Sequence, residues 1–186
     1  MKLFPAILLL LFLVTVSFPA VPQELNNPSK PKNSIKWYRF EEAYKLNKKK
    51  PKKIFIDVFT EWCGWCKKMD AVTFTNPVII DYMNKHFYCV KLDAEQKDTI
   101  IIDGTKLVNP NPGDKRSTHQ LAVDLLRGKM SYPSYVFLNE KSQVLSVVPG
   151  FQQPVDFEPV LHYFGEDAYL NTTWDTYRSG FAGTIK

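Results

Sequence analysis

The chain has 186 residues, 45% of them apolar and three of them cysteine, with a net charge of +5. That apolar share supplies a core for one domain with short extensions, and three cysteines are too few and too oddly numbered to staple a disulfide-built fold. Loss of Lys2 with a cleaved leader leaves 23 basic against 19 acidic residues, or +4, and the excess gathers in Lys48-Lys49-Lys50-Pro51-Lys52-Lys53; such a run beside a proline reads as a solvated turn, so no nucleic acid or membrane-surface partner is expected.

Residues 1–20 read as a signal peptide. Lys2 is a short positive region, Ile7 to Val16 an apolar core of the usual length, and Ser17 and Ala20 are small cleavage positions. Export to a periplasmic or other extracytoplasmic space is the expectation, with retention through an uncleaved leader as the alternative. Residues 21–34, rich in Pro, Asn and Lys, read as a tether.

The domain proper is expected over 35–165. Apolar residues at three- and four-residue spacing predict a helix over Ile35 to Lys49. Ile54 to Thr60 is a short, nearly continuous apolar run, as in a strand buried on both faces. Cys63 and Cys66 follow at once and should open a helix to about Val72. Asn76-Pro77 starts a second helix, Val78 to Lys85, and Phe87 to Leu92 is the next strand.

Residues 98–114 exceed a minimal α/β domain; Ile100 to Ile102 and Leu107-Val108 flank Asp103-Gly104 and suggest a small hairpin. Ser117-Thr118-His119-Gln120 has capping-box form and leads a helix that stops at Gly128. Tyr135 to Leu138 and Val144 to Val148 read as strands joined by a tight turn, and Val155 to Phe164 as a last helix. Residues 166–186 form an aromatic extension that should dock. The order predicts a mixed sheet with helices on both faces.

Two cysteines two residues apart at the exit of a buried strand can open and close a disulfide, the chemistry of thiol–disulfide exchange. Cys63, at a helix N-terminus, is placed to be the attacking thiolate. Cys66, a turn further in and more buried, would resolve the mixed disulfide. Half of a zinc site is the competing reading, but Cys89, His86, His119 and His162 supply no second paired motif. No metal and no cofactor is expected. Asp57 is a carboxylate in an apolar strand, costly without work or a partner. Its alternative is an outward turn at a strand edge. Cys89 reads as a buried, inert thiol, and the three histidines as structural or surface residues.

The segment Phe55 to Lys67 (FIDVFTEWCGWCK) resembles the active-site segment of the thioredoxin superfamily, and Ser131 to Leu138 (SYPSYVFL) resembles the stretch that carries its cis-proline. Trp62 to Met69, Thr73 to Pro77 and Val90 to Asp93 are similar to exported thioredoxin-like proteins related to the C-terminal domain of the membrane thiol:disulfide interchange reductase. The resemblance implies a thioredoxin fold, Asp57 as the buried acid handling the proton of Cys66 through water, and a cis bond at Tyr132-Pro133 facing the cysteines, with the Tyr132 backbone binding substrate. It gives Trp62 a counterpart beside the first cysteine, with Gly64 and Trp65 between the cysteines; Trp65 replaces the proline of thioredoxins proper. It further implies disulfide-containing partner proteins, a membrane thiol reductase as electron donor, and reduction as the direction. Oxidation, isomerisation, a binding module that keeps the fold, and metal carriage are the rivals. A monomer is the default expectation.

Overall fold

The computed structural model describes residues 34–186; the predicted leader and all of the predicted tether except Ser34 lie outside the described residues. The described residues form seven strands: β1 (Trp37–Tyr38), β2 (Lys53–Phe59), β3 (Phe87–Asp93), β4 (Ile100–Ile102), β5 (Thr105–Leu107), β6 (Ser134–Leu138) and β7 (Val144–Pro149). The helices are α1 (Phe40–Lys49), α2 (Gly64–Val72), α3 (Pro77–His86), α4 (Gln120–Leu125), α5 (Pro154–Gly165) and α6 (Trp174–Gly180). Five strands form one mixed sheet in the order β1-β3-β2-β6-β7, with β2 and β3 parallel and β6 and β7 antiparallel, while β4 and β5 pair apart from it.

Central placement explains why β2 is apolar almost throughout: it is hydrogen-bonded on both edges and covered on both faces. Ile54, Ile56 and Val58 face a cluster with Phe40, Ala43, Leu121 and Val136. Phe55 faces the other way, into an aromatic cluster with Phe74, Phe87, Tyr135, Phe137 and Phe157. Its ring meets those of Phe137 and Tyr135 at 5.4 and 5.9 Å, and aromatic pairs of this kind add roughly 0.5–1.5 kcal/mol each beyond area burial. Asp57, two residues on, lies on this aromatic face.

Three local expectations are corrected. The helix predicted from Ile35 begins only at Phe40, because Trp37 and Tyr38 pair in parallel with Cys89 and Val90 as an edge strand. Ile35 and Trp37 still pack into the aromatic cluster, so their period of two, not three to four, was the operative one. The capping box at Ser117 does not form: His119 caps α4, its Nδ1 accepting from the Leu121 amide at 3.2 Å, while Ser117 and Gln120 bond to residues 109 and 108. Lys53 leaves the solvated lysine run and is buried in β2, paired with Glu140 at 2.7 Å and Asp167 at 2.8 Å.

Other signals read locally match the structure. Asn76 caps α3 by accepting from the Val78 amide at 2.9 Å, with Pro77 in its first turn. The β4–β5 hairpin turns at Asp103 and Gly104, both left-handed (φ 49° and 83°), as a two-residue hairpin turn of this hand requires. Tyr44 of α1 donates to Asp103 at 2.6 Å and ties the hairpin down.

The aromatic extension docks on α5. Trp174 and Tyr177 pack against Tyr163 at 5.4 and 5.2 Å, and the Tyr163 hydroxyl donates to the Thr172 carbonyl. Glu158, buried in α5, accepts from the amides of Thr184 and Ile185 at 2.8 and 3.0 Å. Glu158→Ala should therefore destabilise the protein by about 1–2 kcal/mol, the usual net worth of the two hydrogen bonds lost, since water can reach the exposed Thr184 amide. Amide exchange at Thr184 and Ile185 should quicken; unchanged protection there would show that the latch is not made.

Candidate active site

The end of β2 turns directly into α2. The Cys63 amide donates to the Thr60 carbonyl at 3.1 Å, and Cys63 becomes the N-cap of α2, with its Sγ accepting from the Cys66 amide at 3.0 Å. Cys63 and Cys66 are joined in a disulfide with Cα atoms 5.3 Å apart. The N-cap position aims unpaired amides at the Cys63 sulfur, which favours its thiolate once the bond is reduced. Cys66 is the more buried of the two, as expected, but only slightly: Cys63 is 5% exposed and Cys66 3%.

Asp57 is 1% exposed, which removes the outward reading. Burial pushes its carboxyl up to about 6, with Lys91 offsetting part of the rise. Lys91 stands opposite Asp57 in the β2–β3 register, and its Nζ lies 2.9 Å from Asp57 Oδ2 and also bonds Asp70 of α2. Burial acts to lower the Lys91 ammonium, but the two carboxylates outweigh it and hold it above its ordinary value. Asp57 Oδ1 meets no donor among the described residues. A carboxylate titrating near 6 is ionised at neutral pH and still basic enough to take a proton. Sequence reasoning missed Lys91 and Asp70; the one signal was a lone lysine within the otherwise buried strand Phe87 to Leu92.

The Tyr132-Pro133 bond is cis. Trp65, Tyr132 and Pro133 come together with Gly150 and Phe151 around a groove of about 320 Å³. Phe151, at 5.7 Å from the Trp65 ring, was not singled out from sequence, because it follows β7 far along the chain. Trp62 and Trp65 are both largely exposed, and Trp62 meets Tyr132 edge-on at 5.9 Å. A side chain at Gly64 would meet no atom within 4 Å, so this position crowds nothing.

Cys89 is buried in β3, where burial pushes its thiol far above its ordinary value. His119 is a buried helix cap, His86 stacks on Tyr82 at 4.1 Å, and His162 bonds Glu166 at 2.8 Å. Among the described residues no three His, Cys, Asp or Glu side chains converge as a metal-ligand set.

A cysteine pair capping the first helix after a central strand, beside a cis-proline on a mixed five-stranded sheet, defines a thioredoxin-fold protein with an oxidoreductase-like site. Residues 27–156 match the profile of Thioredox_DsbH, described as "Protein of unknown function, DUF255", and the chain belongs to that family. Spermatogenesis-associated protein 20 of Mus musculus is 35% identical over 69 residues, 37% of this chain and only 9% of that relative's length. A putative disulphide-isomerase from Bacteroides thetaiotaomicron is similar at 25% identity and TM-score 0.51, over 75% of this chain and 98% of that one. A thioredoxin from Thermus thermophilus shares the fold, with 17% identity and TM-score 0.52 over 69% of this chain and 85% of that one. No helix among the described residues is long and apolar enough to cross a membrane.

Proposed function

We propose that the protein is an exported thiol–disulfide oxidoreductase that reduces disulfides in partner proteins. The observation that carries this reading is the Cys63–Cys66 disulfide capping α2, with Asp57 buried in the strand that leads into it. In the reduced protein the Cys63 thiolate attacks one sulfur of the partner's disulfide. A mixed disulfide forms and the partner's other sulfur leaves as a thiolate. Cys66 then loses its proton, through water, to Asp57 and attacks the Cys63 sulfur; the partner's second sulfur leaves as a thiolate, both released thiolates take up protons from water, and the pair ends as the disulfide.

Trp62, Gly64 and Trp65 form the rim over which the partner chain approaches, and Pro133 with the Tyr132 backbone receives it. Each cycle consumes two electrons, so the oxidised pair must be recharged by a dithiol donor. A membrane thiol reductase suits an exported protein, whose leader would be the segment 1–20. No nucleotide, metal or other cofactor enters the cycle.

Isomerisation is the second reading, favoured by the resemblance to the Bacteroides putative disulphide-isomerase. An isomerase returns its pair to the dithiol without net electron flow. The reduction potential, measured in a dithiothreitol or glutathione series, separates the readings. A value near the roughly −270 mV of thioredoxin is expected; one near −180 mV fits an isomerase and one near −120 mV an oxidant, and either would overturn the direction.

A further inference from the structure

We propose that the loop 109–116, tied by Asn109 to the loop that carries Glu95, forms a brace that holds the Trp62 indole in place beside the disulfide, with Arg116 as a positioning residue. The link to partner binding rests on the redox reading above. Trp62 is 52% exposed and adjoins Cys63, yet its ring is held from three sides. Its Nε1–H donates to Glu95 Oε1 at 2.8 Å, the Arg116 guanidinium lies 4.9 Å from the ring centroid, and Tyr132 meets it edge-on. An exposed indole needs none of these contacts for folding, because water would satisfy it.

Two further features support the loop that carries Arg116. Arg116 has a φ of 62°, a left-handed conformation that residues with a side chain keep only where their surroundings impose it. The next residue, Ser117, is anchored by Asn109, a buried side chain whose Nδ2 donates to the carbonyl of Ser117 at 2.7 Å. That same Nδ2 reaches the carbonyls of Gln96 at 3.3 Å and Glu95 at 3.4 Å. One amide thus ties together the two loops that carry Glu95 and Arg116. Between these loops and Trp62 lies a groove of about 730 Å³. A wall fixed before the partner arrives loses less freedom on docking than a mobile indole does, so the brace should act on partner affinity and leave the sulfur chemistry alone.

The test compares Arg116→Ala and Arg116→Lys with the parent, all in the full-length protein. The Trp62 indole N–H signal is assigned by its loss in Trp62→Phe. In Arg116→Ala, indole exchange should quicken and KM for a protein disulfide should rise about threefold, as loss of an exposed cation–π contact allows. Its kcat, and its turnover of hydroxyethyl disulfide, should match the parent. Arg116→Lys should restore most of both, since an ammonium can still sit over the ring. An unchanged Trp62 signal in Arg116→Ala overturns the brace, as does a freed indole with unchanged KM. Should the parent turn over no disulfide at all, the redox reading fails instead, and the indole exchange alone decides whether the brace exists.

Discussion

Cys66→Ser should accumulate as a mixed disulfide with its partners, and Cys63→Ser should form none. Both follow from the order of events at the N-terminus of α2. Cys63 is the cap, with the Cys66 amide aimed at its sulfur, so on the proposed reading its thiolate is the stabilised one and attacks first. Cys66 can only resolve what Cys63 has captured. Without it the partner stays attached until an external thiol arrives. Turnover should fall by at least about 10³-fold, because an intramolecular step becomes a bimolecular one. Non-reducing electrophoresis of the Cys66→Ser protein reads the trapped species, and steady-state reduction of a protein disulfide reads the rate. A Cys63→Ser protein that kept partner binding but had the parent's functional effect would point to the binding-module rival.

Asp57→Asn should slow exchange and at the same time stabilise the fold. The carboxyl titrates at about 6 in the folded protein against an ordinary 3.8. Because that value is raised, its ionisation works against the folded state. The penalty is absent below about pH 4, grows as pH rises toward 6, and levels off above that at about 3 kcal/mol. Asparagine keeps the shape and removes the buried charge, while Lys91 retains Asp70 as its partner. Stability of Asp57→Asn above pH 6 should therefore exceed the parent's by up to about 3 kcal/mol, with no change at pH 4. Denaturant midpoints across this range measure it. Resolution by Cys66 should slow by about 10²-fold at pH 7, the usual worth of a positioned base, and the rise of activity through pH 6 should vanish. A variant as active as the parent, or less stable than it at pH 8, would remove Asp57 from the proton path.

Much of the fold was legible because its signals are local. Asn76-Pro77 announces α3 by supplying a cap and a residue preset for a first turn. Asp103-Gly104 announces a hairpin because its turn needs two left-handed residues. The unbroken apolar run of β2 marks a strand covered on both faces. The cysteine pair was legible for the same reason, since spacing and position relative to β2 are sequence properties. What failed depended on distant partners. Trp37 and Tyr38 looked helical until β3 offered them a strand to pair with. Ser117 looked like a cap until Asn109, from the other side of the insertion, claimed its hydroxyl. Lys53 looked solvated until Glu140 and Asp167 closed around it.

At the site the division is equally physical. Sequence alone determined which groups can do the chemistry: two sulfurs one helical turn apart, a carboxylate in an apolar strand, and a Tyr-Pro bond ahead of another strand. Tertiary structure alone decided their environment. It set Lys91 against Asp57 through the β2–β3 register, brought Phe151 to Trp65 from the end of β7, and laid Arg116 on Trp62. Covalent identity and local conformation are written residue by residue. Charge compensation, burial and the walls of a groove arise only where segments far apart in the chain meet, and no local pattern encodes which of them will.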